Sequence, residues 1–546
     1  MSESTVTGRR MGLVIAASSI GTVFEWYDFF IFGSLATIIA KHFFASAGET
    51  LGYIFALLTF AAGFAVRPLG ALVFGAFGDR SGRKRAFLVT ITLMGIATFA
   101  IGLVPDTAQI GPLAPYILIG LRVLQGFAVG GEYGGAAIYV AEHADPKRRG
   151  GATGWIQVAA TAGLFLALAV ILGIRTLVGE DIFGAWGWRV PFLLSVVLLV
   201  ISLWIRLRLD ESPLFQRMKA EGRESRAPLR EAFFVGANLR LVLIVLFGLM
   251  TVQGAVWYTA QFYTQTFLER VLKVDPRMMN LMVMAVAVVA MPLHIIFARL
   301  SDQIGRKPIM LFGIGLAVLT FMPGFQLLTE AVNPALAHAT ATSPVVVAAN
   351  PGDCTLQFDP IGKSKFLSSC DIAKATLSNL GVPYRNEAAP AGTARIRVGR
   401  AEVTSFDGRG MTATALSTAR TSFETALKSA LKSAGYTPSA ATDKIDVPRA
   451  LLILVVFVTA AAALYGPQAA ALVELFPTRI RYSAISLPYH IGNGWIGGFL
   501  PAIAFAIVAA TGNIYAGLWY PIIVAAIGFF VTLFFLPETK GRDITG

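Results

Sequence analysis

Apolar runs long enough to cross a bilayer recur along almost the whole chain, and that feature removes most folds from consideration. A bilayer core takes about 20 apolar residues of helix. Such runs occupy 12–40, 52–77, 86–104, 113–140, 152–174, 188–207, 240–267, 279–298, 308–329, 450–472, 482–510 and 515–536, so twelve spans are predicted. A content of 55% hydrophobic and 14% charged residues over 546 positions excludes an ordinary soluble domain. The 54 glycines and 26 prolines suit membrane helices, where both are tolerated. The net charge of +13 does not indicate nucleic acid, because the basic residues sit in short loops between apolar runs. No cleavable signal peptide is predicted, since 12–20 continues as helix to about Ala40 without a small-residue cleavage site.

Loop charge sets the expected orientation. Loops 78–85, 141–150, 206–240, 299–307 and 474–481 carry 20 Lys and Arg, and the opposite loops carry 5. The positive-inside rule then puts both termini in the cytoplasm, and the expected location is a bacterial-type inner membrane. Asp79-Arg-Ser-Gly82-Arg83-Lys84 after the second span returns as Asp302-Gln-Ile-Gly305-Arg306-Lys307 after the eighth. A weaker echo relates 142–149 to 474–481. Two six-helix halves repeated about the membrane normal describe an alternating-access transporter with its site between them. The predicted division is 1–207 for the first bundle, 208–239 for a cytoplasmic linker, and 240–329 with 449–546 for the second bundle. Residues 330–448 form an insertion between helices 9 and 10.

Hydropathy collapses across that insertion, which the topology places outside the membrane. Residues 394–404 alternate like a hairpin, and 369–380 and 417–434 have helical spacing. A small folded α/β cap is expected, with low-complexity disorder as the alternative. Both cysteines of the chain, Cys354 and Cys370, fall inside it, and an oxidising exterior permits a disulfide between them.

Charges inside the apolar runs point to function, because they are costly at depth and usually face a bundle interior or a watery cavity. Glu25 and Asp28 lie one turn apart in the first span, Arg67 in the second, and Arg122 and Glu132 in the fourth. Depth estimates place all five where one cavity could hold them. An Arg there offers a fork for a substrate carboxylate. A buried carboxyl is poised to exchange a proton and so to release or recapture an Arg. Asp28 and Arg122 are the first candidates for coupling and Arg67 for the substrate anion, with Glu25 and Glu132 as alternates. Structural ion pairs are the competing reading for each. Gln253, Trp257, Tyr258 and Gln261 form a wet aromatic face on the seventh span, and Gln125, Tyr133, Gln157, His294, His490 and Asn493 are further polar candidates.

The loop Gly75-Ala-Phe-Gly-Asp79-Arg-Ser-Gly82-Arg83-Lys84-Arg85 resembles the loop-2/3 signature of the major facilitator superfamily, and Arg122-Val-Leu-Gln125-Gly126 resembles its second signature. Together with 21–33, 64–70, 130–134 and 209–215, these stretches are similar to the metabolite:H+ symporter family, whose members carry α-ketoglutarate, citrate, shikimate, aromatic acids and proline/betaine. The resemblance implies an all-α membrane protein of twelve helices, with 330–448 as an addition. It also implies a proton-coupled symporter for a small organic acid, with a compatible solute as the alternative. Asp79, Gly82 and Arg83, with Asp302, Gly305 and Arg306, would form a gating latch. The expected partners are a small solute, protons and lipid, with no cofactor, metal or nucleic acid, and an unidentified partner for the insertion. A sensor or enzyme working through the insertion is the remaining reading. Against it, 330–448 contains one histidine, His338, and no phosphate loop.

Overall fold

A computed structural model describes residues 8–44, 56, 59, 61–208, 210–355, 366–437 and 439–544. Among them, eleven helices are long and apolar enough to cross a bilayer. The predicted span 52–77 is described continuously only from residue 61, and supplies the remaining helix. In chain order these are α1 (Gly8–Ser34), α2 (Arg67–Ser81), α3 (Arg83–Leu103), α4 (Leu113–His143), α5 (Arg149–Val178) and α6 (Val190–Leu207). The second set is α7 (Gly236–Val271), α8 (Pro276–Ile304), α9 (Arg306–Val332), α10 (Val447–Leu475), α11 (Arg481–Val508) and α12 (Ala516–Phe535). Start signals are local. Asp275 accepts from the backbone of Arg277 and Met278 ahead of α8, with Pro276 in its first turn, the pairing a helix N-terminus favours.

Within the first six helices α5 lies along α1 and α3 along α6, and in the second set α9 lies along α10. The most extensive contacts between the sets are α5 with α8 and α2 with α11, and α4 also meets α10 and α11. The close approach of α2 and α4 requires glycine. A Cβ on Gly70 would overlap the Phe127 carbonyl, and one on Gly126 would overlap the Gly63 carbonyl, so backbones meet as small-residue membrane interfaces allow.

Four helices expected to be uninterrupted are broken. The α4 helix stops at Val129 and restarts at Glu132, and α10 stops at Tyr465 and restarts at Gln468. In α4 the break falls at Gly130 and Gly131, where α2 presses too close for a side chain. The α7 helix widens into π-turns at Leu246–Met250, Thr259–Tyr263 and Phe267–Val271, and α11 does so at Ile491–Gly497. Such turns are frequent at functional sites.

The insertion is folded and of α/β type. Strands β1 (Val345–Ala349), β2 (Tyr384–Ala388), β3 (Arg395–Val398) and β4 (Ala401–Thr404) form one sheet in the order β2-β1-β3-β4. Helix Ser369–Asn379 carries the parallel crossover from β1 to β2, and helix Ala413–Ser433 follows the hairpin. Its described contacts tie it to the second helical set. Tyr384 N donates to Gly512 O at 2.9 Å, Lys273 Nζ to Asn379 O at 2.6 Å, and Asn333 Nδ2 to Leu272 O at 3.1 Å.

Cys354 and Cys370 form a disulfide 16 residues apart in sequence. Closing a loop of that size is worth about 3 kcal/mol. Replacing both with serine should therefore raise protease cleavage within 330–448 severalfold while leaving the helical core resistant, as limited proteolysis would read.

Candidate functional site

One end of the helical assembly is closed by a duplicated charge network. Gly82 (φ 110°) and Gly305 (φ 123°) reverse the chain in backbone conformations that suit glycine. Behind each, a remote carboxylate caps the next helix. Arg83 N and Lys84 N donate to Glu211 at 3.1 and 3.2 Å, and Arg306 N and Lys307 N donate to Glu538 at 2.9 and 3.1 Å. Asp79 accepts from the backbone of Tyr482 and Ser483 at 3.2 and 2.9 Å, while Asp302 accepts from Gly150 and Gly151 at 2.8 and 2.7 Å. Each carboxylate thus caps a helix in the opposite half. Each also pairs with the arginine four residues on, at 3.0 Å for Asp79–Arg83 and 2.6 Å for Asp302–Arg306. The remaining ion pairs cross between halves, Glu142 to Arg481 at 2.6 Å and Glu474 to Arg149 at 3.0 Å, with Arg306 also on Glu474 at 3.2 Å.

The five charges of the spans are all buried and pair off in two sub-clusters that remain within electrostatic reach of each other, Asp28 and Arg67 both acting on Glu132. In the first, Arg122 donates to Gln125 Oε1, Gln125 Nε2 donates to Thr98 Oγ1 at 2.7 Å, and Thr98 faces Asp28. Arg67 and Arg122 are neighbours. Arg67 lies 4.3 Å over the Phe64 ring and Arg122 4.2 Å over that of Phe32, within the range of cation–π attraction. Phe29, Arg67, Arg122 and Gln125 line a hollow of about 10 Å³, the scale of one water.

The second group lies nearer the closed end. Glu25 pairs with Arg206 at 3.1 Å, and Glu132 faces both. Arg206 corrects the sequence reading, which counted it among the loop cations. It is 1% exposed, stacks 3.4 Å over the Phe87 ring, and occupies the space that a side chain at Gly21 would need. A long cation at a helix end turns back into the bundle when a carboxylate and an aromatic face await it there.

Aromatic residues meet across the centre. Trp257 packs on Trp26 at 5.6 Å, Phe262 on Phe30 at 5.4 Å, and Tyr489 stacks on Tyr133 at 3.7 Å. Trp26 therefore faces the other half rather than lipid. Gln157 Nε2 donates to Tyr133 Oη at 2.9 Å, and His490 meets the Tyr489 ring edge-on at 5.0 Å. Gln253, Gln261 and Asn493 are buried on the π-turned helices. Gln253 Oε1, Trp257 Nε1 and Asn493 Nδ2 have no hydrogen-bond partner among the described residues. Polar groups left with unmet capacity inside a protein call for an explanation, and a solute is one. His294 Nδ1 is satisfied by Ala290 O at 2.8 Å.

Residues 13–232 and 433–546 match the family model described as "Sugar (and other) transporter". The chain belongs to that family. The unmatched stretch between the two blocks holds α7 to α9 and the insertion. Similar relatives include the glycine betaine/proline/ectoine/pipecolic acid transporter OusA of Dickeya dadantii, 35% identical over 329 residues, 59% of this chain and 65% of that protein. The Escherichia coli shikimate transporter is 35% identical over 332 residues, 60% of this chain and 74% of the relative. The match thus spans just under two thirds of the length of the betaine and proline carriers. The solved proton:xylose symporter XylE bound to 6-bromo-6-deoxy-D-glucose aligns at a TM-score of 0.64 and 17% identity over 98% of both chains. The inward-open form of XylE from E. coli aligns at 0.53 with the same identity and coverage. The fold is that of the major facilitator superfamily.

Sequence reasoning missed Arg206, Tyr482 and the capping pair Glu211 and Glu538. The last two had a usable signal: each stands at the start of a short polar stretch following the sixth helix of its set, in Leu209-Asp-Glu-Ser and Leu536-Pro-Glu-Thr.

Proposed function

We propose that the protein is a proton-coupled symporter that imports a small carboxylate-bearing solute by alternating access. In this reading both termini lie in the cytoplasm, and the duplicated charge network closes the cytoplasmic end. The observation that carries the reading is the pair of buried neighbouring guanidinium groups, Arg67 and Arg122, with Asp28 reached through Gln125 and Thr98. Two fixed cations beside one acid make a site that accepts a carboxylate once the acid takes a proton. Protonation of Asp28 from outside lowers its hold on the Arg122 chain and leaves both arginines to the solute. Loss of that proton to the cytoplasm restores the internal pairing and expels the solute. The aromatic contacts between the halves then describe an occluded stage of the cycle.

An organic acid fits two arginines best. A zwitterionic osmolyte is the second reading, favoured by the Trp26–Trp257 and Tyr258–Phe262 faces, which suit a quaternary ammonium. The printed names of the relatives include both kinds of solute.

Proteoliposomes with an imposed pH gradient, acid outside, and a panel of mono-, di- and tricarboxylates, aromatic acids and betaines test this. Accumulation of at least one carboxylate should follow the gradient and collapse with a protonophore. Uptake of every accepted solute that ignores the gradient would refute symport. Arg67→Lys keeps the charge but loses the fork, and should raise KM by roughly tenfold or more for the accepted acid.

A further inference from the structure

We propose that Glu25, Glu132 and Arg206 form a second proton-binding site, separate from Asp28 and Arg122, whose occupancy sets whether the charge network at the closed end opens. It deepens the transport reading above and rests on it in taking that network as a gate.

Two carboxyl groups and one guanidinium meet in a pocket where Glu25 and Arg206 are 8% and 1% exposed at their side chains, and Glu132 is 1% exposed. Glu25 takes the guanidinium. Both oxygens of Glu132 lack a hydrogen-bond donor among the described residues, and they face the Glu25 carboxyl together with the guanidinium that Glu25 already holds. Two carboxylates sharing one site cannot both stay ionised at low cost, so one proton shared between them gives the neutral arrangement. The other groups facing the cluster do not alter that count. Asp28 faces it from α1, Arg67 from α2 and Tyr482 from α11, and Asp28 and Arg67 carry opposite charges when ionised.

Tyr482 links the cluster to the closed end. Tyr482 stands at the start of α11, where Asp79 holds its backbone N–H at 3.2 Å. Its ring fills a slot lined by Gly78, Gly134 and Gly135, where a Cβ on Gly78 or Gly135 would clash with it and one on Gly134 would crowd it. Its hydroxyl donates to the carbonyl of Gly131, the residue before Glu132 and the break in α4. The helix that starts at Glu132 ends beside Glu142, which pairs with Arg481. One rigid segment of 12 residues thus carries the proton site at one end and a cross-half ion pair at the other, and the tyrosine from the opposite half is seated between them.

The direction follows. While the cluster is sealed from water, the shared proton keeps it neutral and the closed state is favoured. When that proton leaves to water at the closed end, a net negative charge remains that favours hydration and parting of the halves.

The test needs no solute. Ser486 is fully buried beside Gly134 in the opposite half, and Ser486→Cys places a thiol that a maleimide reaches only when the halves part. The native cysteines are joined to each other and stay silent. In the full-length protein in detergent, the labelling rate, corrected for the maleimide reaction of an exposed control thiol, should rise about fivefold or more between about pH 6 and pH 9. Glu132→Gln, permanently neutral, should hold the rate at its low value within about twofold, and Glu132→Asp should restore the rise. Should Glu132→Gln fail to fold, Glu25→Gln serves, with the same flat profile expected. A parent rate that ignores pH, or a Gln variant that keeps the full rise, overturns the proposal. Either outcome leaves the solute and gradient measurements standing, so this site can fail while symport survives.

Discussion

Glu474→Gln should spring the closed end open. Glu474 is fully buried and faces two guanidinium groups, Arg149 at 3.0 Å and Arg306 at 3.2 Å, with the Thr539 hydroxyl at 2.8 Å. Removing its charge takes the ion-pair partner from the buried Arg149 and leaves Arg306 with Asp302 alone. Breaking a buried pair in this way costs about 3–5 kcal/mol. If that cost falls on the closed state, the closed-to-open ratio drops by a factor of roughly 10² to several thousand. Spin labels at Lys147 and Gln303, exposed on opposite halves, would read the change by double electron–electron resonance. A single short distance in the parent should give way to a longer population in the variant. Glu142→Gln should act in the same direction with a smaller effect, because Glu142 balances Arg481 alone. Unchanged distances in a folded Glu474→Gln protein would show that the network staples the halves without governing their separation.

Asp28→Asn should separate transport from its driving force. Asparagine keeps the shape of the side chain and its contact with Thr98 but binds no proton as an acid. Gradient-driven accumulation should fall by roughly two orders of magnitude, the scale on which a positioned acid or base acts. Exchange of labelled for unlabelled solute across the membrane should persist, because Arg67 and Arg122 remain. Arg122→Leu should instead abolish both, since it removes the guanidinium held by Gln125. The contrast between these two variants distinguishes the proton carrier from the anion binder, which a loss of uptake alone would not.

Much of this architecture was legible in the chain because bilayer-length apolar runs leave few alternatives, and because the Asp-x-x-Gly-Arg spacing repeats where each half needs its turn. Gly82 and Gly305 carry their positive φ as visibly as any residue can. The β3–β4 hairpin and the two long helices of the insertion also showed their periodicity. Strand β2 did not, since only Tyr384 of its five residues is buried and a strand without alternation leaves no pattern. Arg206 was hidden by position: at the end of an apolar run a cation reads as a topology anchor, and only the third dimension reveals the carboxylate behind it. The π-turns of α7 were not legible because one extra residue per turn leaves the length and hydropathy of an apolar run unchanged. The separation of five charges into two groups depends on helix rotation, which depth along the sequence does not encode.

The most direct test of the account follows protons and solute together. Proteoliposomes loaded with a pH-sensitive dye and given an accepted carboxylate, with no imposed gradient, should acidify inside as solute enters. Asp28→Asn vesicles should exchange solute without any dye response. Equal acidification by the parent and by Asp28→Asn would contradict the claim that a buried acid, by taking and losing a proton, decides what the buried arginines hold.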